Sequence, residues 1–155
     1  TYGIDHEIIK DAFKKFNFLK GRGNHIYNKG YLIIDDTYNA NFDSFKIEIN
    51  SFLDIKCKGR KFLVIGDMKE LGTETVSYHS KLGDFINNQK IDFVCGIGEN
   101  IHNTINTINN SQIYSKEFSS NKELVLFLKN QLKKDDAIYL KASRSMHFEN
   151  IIEKL

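Results

Sequence analysis

Lys61-Phe-Leu-Val-Ile65, followed by Gly66-Asp-Met-Lys-Glu-Leu-Gly72, is the stretch whose reading sets the fold. Phe62 to Ile65 form an unbroken apolar run, too short for a buried helix and closed by a glycine-bearing loop. Unbroken hydrophobicity, as opposed to alternation, marks a strand covered on both faces, which is the habit of parallel sheets. A helix over residues 73–88 follows. The same unit recurs downstream. Residues 91–95 form a second apolar strand, Gly96-Ile-Gly98 follows it, and a helix spans 100–108. Residues 112–114 are a short strand. Ser120 and Glu123 have the spacing of a capping box and open a helix carrying Leu124, Phe127, Leu128 and Leu132. The last strand is 137–140, and residues 146–155 close the chain as a helix with Phe148, Ile151, Ile152 and Leu155 inward.

Upstream, Ile8, Ile9, Ala12, Phe13 and Phe16 fall at helical spacing over residues 5–16, with Asp5 placed to cap. Lys20-Gly-Arg-Gly-Asn24 is a loop. Strands at 25–28 and 31–35, joined at Lys29-Gly30, read as a hairpin. After Asp36-Thr-Tyr-Asn-Ala-Asn41, a helix presents Phe42, Phe45, Ile49, Phe52 and Leu53 on one side, with Asn41 as its N-cap and Asp43 in the first turn. Strands alternating with helices give an α/β domain: three layers, Rossmann-like, a mostly parallel sheet with helices on both faces and an N-terminal hairpin.

Composition narrows the class further. The 155 residues suffice for one ordinary domain, and 41% apolar with 27% charged residues suits a chain that builds a core. No apolar stretch approaches the ~18 residues of a membrane helix, and Thr1-Tyr-Gly-Ile-Asp5 lacks the features of a signal peptide. The start without Met is that of a fragment or a processed chain. Net charge is +2, from 22 basic and 20 acidic residues that are interspersed, so no broad basic face for nucleic acid is expected. Cys57 and Cys95 stand far apart with no metal-ligand spacing, which reads as two reduced thiols in a cytosolic protein. Proline is absent and Asn, Ile and Lys abound, as in the products of AT-rich genomes, so single Asn or Lys residues carry little weight.

Ligands of open parallel sheets sit at the carboxyl ends of the strands. The loops there are 35–41, 66–70, 96–100 and 141–145. Of Asp35 and Asp36, alternation turns one toward each face. Each is a ligand for ribose hydroxyls or Mg²⁺, or else a strand-end carboxylate satisfied by the next turn; Asp67 poses the same choice. Lys141, Ser143 and Arg144, ahead of a helix N-terminus, read as an anion site or as solvated cations with a serine cap. Gly96-Ile-Gly98 lacks the third glycine of a dinucleotide fingerprint and reads as a tight turn. His79 falls on an inner helix face, where a hydrogen-bonded buried histidine is favoured over a catalytic base. Arg22 between two glycines is a phosphate contact or part of a flexible linker. No GxxxxGK[ST] sequence occurs, so the chain has no P-loop of its own.

The blocks Ile34-Asp-Asp-Thr-Tyr-Asn-Ala-Asn41 with Asp43-Ser44, then Gly66-Asp-Met-Lys-Glu-Leu-Gly72, then Leu140-Lys-Ala-Ser-Arg144, resemble in this order the C-terminal domain of the Mur ligases. The resemblance runs from about residue 3 to 155, includes Lys20-Gly-Arg-Gly23 as the segment leading into that domain, and is strongest to the branch that adds D-Ala-D-Ala to UDP-MurNAc-tripeptide. Two positions depart from the family pattern: Phe42 replaces a frequent proline, and Ala142 replaces the glycine of K-G-S-R.

The resemblance implies a bacterial, cytoplasmic step of peptidoglycan synthesis by a three-domain enzyme. Its UDP-sugar domain and central ATPase domain are absent from this chain. Residues 1–23 would be the leading helix and hinge, and residues 24–155 the α/β body. In the full enzyme ATP and Mg²⁺ activate the donor carboxylate as an acyl phosphate, which the dipeptide amine attacks; this domain closes as a lid. Alone it is expected to bind no cofactor or metal and to be inactive. The resemblance also assigns residues. Arg22, Asp36, Tyr38 and Asn39 face the nucleotide, with Asp36 on the ribose and Arg22 near the phosphates. Asn41, Lys141, Ser143 and Arg144 lie on the D-Ala-D-Ala side. No catalytic side chain is assigned, and Asp67 and Glu70 match the motif without a role. Its partners would be its own other two domains and the two substrates, with no nucleic acid and no membrane insertion. Two other readings stand beside this one: a folylpolyglutamate synthase-like amide ligase, and a phosphorelay receiver built on Asp35, Asp36, Asp67 and Lys141.

Overall fold

In the computed structural model, which describes residue 3, residues 5–15 (side chains as far as residue 12) and residues 19–155, elements run in the order α1 (His6–Lys15), β1 (Asn24–Asn28), β2 (Tyr31–Asp36), α2 (Phe42–Asp54), β3 (Lys61–Gly66), α3 (Thr75–Ile86), β4 (Phe93–Ile97), α4 (His102–Thr107), β5 (Tyr114–Glu117), α5 (Asn121–Gln131), β6 (Ala137–Lys141) and α6 (Glu149–Ile152). The strands form one sheet in the order β1-β2-β6-β3-β4-β5. Only β1 is antiparallel, pairing Asn24 with Asp35 and Asn28 with Tyr31. Lys29 and Gly30 both take positive φ (48° and 86°), the backbone of a two-residue turn whose twist matches that of its strands.

Alternation along each strand divides the core. Leu32, Ile34, Leu63 and Ile65 join Phe45, Ile49 and Phe52 of α2 and Leu82 and Ile86 of α3 on one face. Ile33, Phe62, Val64, Ile138 and Leu140 join Leu124 and Leu128 of α5, with Phe148 and Ile151, on the other. The three-layer α/β expectation is met.

α2 begins where the sequence places it. Asn41 Oδ1 accepts the Ser44 N–H at 2.8 Å, and Ser44 Oγ returns a bond to the Asn41 N–H. The free N–H groups of the first turn are thereby satisfied.

Five expectations are corrected. β4 starts two residues later than expected, because Asp92 spends its carboxylate on the Lys61 N–H at 2.7 Å ahead of the ladder. β4 also runs through Gly96 and Ile97, so only Gly98 turns; a Cβ on Gly96 would meet Ile101 and Ile105 at 2.9 Å. β5 is 114–117 and not 112–114. The expected terminal helix is broken into a 3-10 turn, Arg144–Met146, and the short α6, because His147 between them is left-handed (φ 51°). At α5 the cap is real but not reciprocal: Ser120 Oγ accepts the Glu123 N–H, while the Glu123 carboxylate turns to the N–H and hydroxyl of Ser119. In α1, Ile8 and Ile9 are exposed; Phe16 and the side chain of Phe13 lie outside the described residues.

Candidate functional site

Parallel strands bring the carboxyl ends of β2, β6, β3 and β4 to one edge. Asp36 ends β2 directly across from Lys141 at the end of β6. On the α2 face of this pair lies a cleft of about 380 Å³ lined by Arg22, Ile34, Asp36, Glu48, Phe52 and Tyr139, among others.

Asp36, Glu48 and Tyr139 of its lining form a polar cluster with Lys141 buried behind them. The Lys141 ammonium touches Asp36 Oδ2 at 2.6 Å and Glu48 Oε2 at 2.5 Å, and donates to the Asn39 carbonyl at 2.9 Å. The Tyr139 hydroxyl lies 2.7 Å from Asp36 Oδ2 and 2.9 Å from Glu48 Oε2. Lys141 is 2% exposed, and one buried cation neutralises one of two adjoining carboxylates. Burial works to raise the Asp36 carboxyl, but hydrogen bonding with Glu48, Lys141 and Tyr139 outweighs it and holds Asp36 below the usual carboxylate range. Glu48 moves the other way: burial and neighbouring Asp36 push it up against the pull of Lys141. Burial and the two carboxylates push the Tyr139 phenol up, keeping it a hydrogen-bond donor.

At the cleft mouth the Arg22 guanidinium lies over the Tyr38 ring, 4.0 Å from its centroid. Gly21 permits this. With φ 81°, its carbonyl accepts the Tyr38 N–H at 2.9 Å, and a Cβ there would crowd that same nitrogen at 3.2 Å.

The structure thus gathers Arg22, Asp36, Tyr38 and Asn39 at one place and divides the other four residues. Asn41 is spent on its cap. Lys141 sits in the Asp36 cluster and not in an open loop, because β6 carries it inward beneath α2. Ser143 Oγ accepts the Lys69 N–H at 2.9 Å, and exposed Arg144 pairs with Glu149 at 3.1 Å. The single anion loop expected from 141–144 is therefore corrected: only Arg144 faces solvent as a cation, and the helix behind it is one 3-10 turn. The Ala142 methyl fits because Gly66 opposite has none; a Cβ on Gly66 would meet it at 2.7 Å.

Asp35, Asp67 and His79 are engaged by partners within the fold. Asp35, turned to the opposite face from Asp36, accepts the Thr37 hydroxyl at 2.7 Å, the turn-satisfied alternative. Asp67, fully buried, accepts the N–H groups of Glu99 and Asn100 at 3.0 Å each, with Lys69 at 3.0 Å. Asp67 therefore fastens the β4–α4 loop to β3. His79 Nε2 accepts the Met68 N–H at 3.2 Å while Nδ1 meets the Thr75 carbonyl at 2.8 Å, so both ring nitrogens are engaged. Glu48 and Tyr139 were missed by sequence reading. Tyr139 sits two residues before Lys141 on the same strand face, a usable signal; Glu48 carries none, because a single glutamate flanking the apolar stripe of a helix, three residues from Phe45 and four from Phe52, has the pattern of any solvated helix flank.

Among the described residues, no group of three or more His, Cys, Asp or Glu side chains is arranged to hold a metal ion, and no helix is long and apolar enough to cross a membrane.

Comparison with known proteins gives a consistent set of relatives. A family model of the Mur ligase glutamate ligase domain matches residues 21–144. The UDP-N-acetylmuramoyl-tripeptide--D-alanyl-D-alanine ligase of Buchnera aphidicola subsp. Baizongia pistaciae is 39% identical, covering 100% of this chain and 33% of its own length. The enzyme of the same name from Borreliella burgdorferi is 32% identical, over 97% of this chain and 32% of its own. Among solved structures, MurF ligase from Thermotoga maritima in complex with ADP superposes with a TM-score of 0.76 at 31% identity, covering 90% of this chain and 31% of that one. The chain spans about a third of the length of the curated relatives it matches.

Proposed function

This chain belongs to the Mur ligase family, as its glutamate ligase domain, and we propose that it serves as the C-terminal lid of an ATP-dependent ligase joining D-Ala-D-Ala to UDP-MurNAc-tripeptide. The observation that carries this reading is the cleft beside Asp36. It offers an accessible carboxylate, an apolar wall at Ile34 and Phe52, and a guanidinium held over Tyr38 at its mouth. These three suit a ribose, a base and a phosphate chain in that order. The relatives' shared name favours this acceptor over a folate-type amide ligase.

In the full enzyme, ATP supplies the phosphoryl group that activates the donor carboxylate. The residues of this chain do the rest at the lid. Asp36, kept ionised by Lys141 and Tyr139, accepts from the ribose. Arg22 approaches the phosphates and swings with the hinge. Asn39 keeps the β2–α2 loop on Lys141 through its carbonyl. On the acceptor side, exposed Arg144 is the cation available to the dipeptide carboxylate, with Asn41 and Ser143 shaping the loops beside it. Between Asp36 and Glu48 the Lys141 ammonium takes the position of a bridging cation, so no step through Mg²⁺ is assigned to these two carboxylates. A cytoplasmic location follows from the proposed donor, a UDP-linked precursor.

The test is ATP-dependent phosphate release by the full-length protein carrying this chain, supplied with UDP-MurNAc-tripeptide and D-Ala-D-Ala, with the 155-residue chain in parallel. Release that needs both substrates, with a silent isolated chain, is expected. Release with a different acceptor only would overturn the D-Ala-D-Ala assignment, and turnover by the isolated chain would overturn its role as a lid.

A further inference from the structure

Asp36 and Glu48 each spend one oxygen inward. Asp36 Oδ2 and Glu48 Oε2 share the Lys141 ammonium and the Tyr139 hydroxyl. Apart from the hydrogen bond between the two carboxyl groups themselves, Asp36 Oδ1 and Glu48 Oε1 have no partner among the described residues, neither is a buried unpartnered atom, and both residues line the cleft. Two carboxyl groups held by one cation therefore line the same cleft, each with an oxygen that Lys141 and Tyr139 do not use.

No donor within the cluster is left to fill them. Lys141 has three N–H groups and three acceptors in reach, and Tyr139 has one O–H between two carboxylate oxygens. A ligand bringing one donor would leave one acceptor bare. A ligand cation would meet the Arg22 guanidinium at the mouth and the field of Lys141 buried behind the carboxyl groups. Two adjacent hydroxyls match the pair without added charge.

We propose that Glu48 is a specificity-determining residue, the second carboxylate of the cleft, which accepts one hydroxyl of a vicinal diol while Asp36 accepts the other. This rests on the reading that the cleft holds the nucleotide ribose, and it adds a residue from α2 to a recognition assigned so far to β2 alone. Glu48 thereby makes the cleft selective for ribonucleotides over both deoxy forms. Removing it leaves Lys141 paired with the Asp36 carboxylate and the Asn39 carbonyl, so the buried cation keeps a counter-ion.

The experiment compares KM for ATP, 2′-deoxy-ATP and 3′-deoxy-ATP in the full-length ligase, for wild type, Glu48→Ala and Glu48→Gln. In the wild type each missing hydroxyl should raise KM by about tenfold, the scale of one hydrogen bond to a charged group. In Glu48→Ala one of the two ratios should fall to near one while the other persists, and Glu48→Gln, which keeps an acceptor of the same shape, should restore part of it. A structural role alone would shift all three KM values together. Both ratios unchanged in Glu48→Ala would overturn the role of Glu48 and leave the ribose reading standing. A wild type indifferent to both hydroxyls would overturn the ribose reading and this inference with it. If Glu48→Ala does not fold, the same ratios in Glu48→Gln decide: both at wild-type level overturn the proposal, one lowered supports it.

Discussion

Removing the Lys141 ammonium would leave the Asp36 and Glu48 carboxylates adjoining with no cation between them. Lys141→Met should destabilise the domain by about 3–5 kcal/mol at neutral pH, measured by urea unfolding, and the deficit should shrink on acidification as the two carboxylates take up protons. Asp136 gives a second pH-dependent case. It is 2% exposed; burial works to raise its carboxyl, but Arg60 at 2.8 Å and the N–H groups of Arg60 and Lys133 hold it below the usual range. The folded chain thus binds fewer protons here than the unfolded chain. The stabilisation is complete above the unfolded carboxyl value of about 3.9 and is lost as pH falls through the lower folded value. Asp136→Asn should cost about 2–3 kcal/mol at pH 7 and converge with wild type at strongly acidic pH. Both carboxylates are plain in the sequence, but their partners are not: Lys141 and Asp36 lie at the ends of different strands, and no local pattern tells which strands will adjoin.

Element by element, local chemistry decides starts better than ends. The Asn41 cap of α2 is written in Asn41 and Ser44 and holds at 2.8 Å. Asn41→Ala should cost about 1 kcal/mol by thermal or urea unfolding, with a matching loss from Ser120→Ala at α5. The terminal segment shows the opposite. Phe148, Ile151, Ile152 and Leu155 keep helical spacing, yet the backbone reverses at His147 so that Phe148 can pack against Gly66 and Ala142. Burial of a whole aromatic side chain outweighs the few hydrogen bonds of one more helical turn. Gly98 is fixed by the same kind of distant contact. A Cβ there would lie 2.2 Å from Asp67 Oδ1, so Gly98→Ala should push Asp67 off the Glu99 and Asn100 N–H groups and lower the thermal midpoint by several degrees, about 2 kcal/mol or more.

Across the whole molecule, stability concentrates in the middle of the sheet. β6 lies between β2 and β3, with Ala137 to Leu140 buried on both faces, while the described side chains of α1 are exposed. Amide exchange should therefore be slowest in β3 and β6 and at least about 100-fold faster in α1. Strand type, helix order, the hairpin and the candidate edge follow from the sequence alone, because apolar runs, turn residues and caps act over a few positions. Which strands adjoin is settled by tertiary structure. β6, last in the chain, enters between β2 and β3, and that insertion sets Lys141 against Asp36 and Tyr139 beneath Glu48. Alternation requires Asp35 and Asp36 to face opposite ways; only the packing of α2 on one face decides that Asp36 is the carboxylate in the cleft. The cluster joins residues about a hundred positions apart, and a contact at that separation leaves no periodic trace in the sequence.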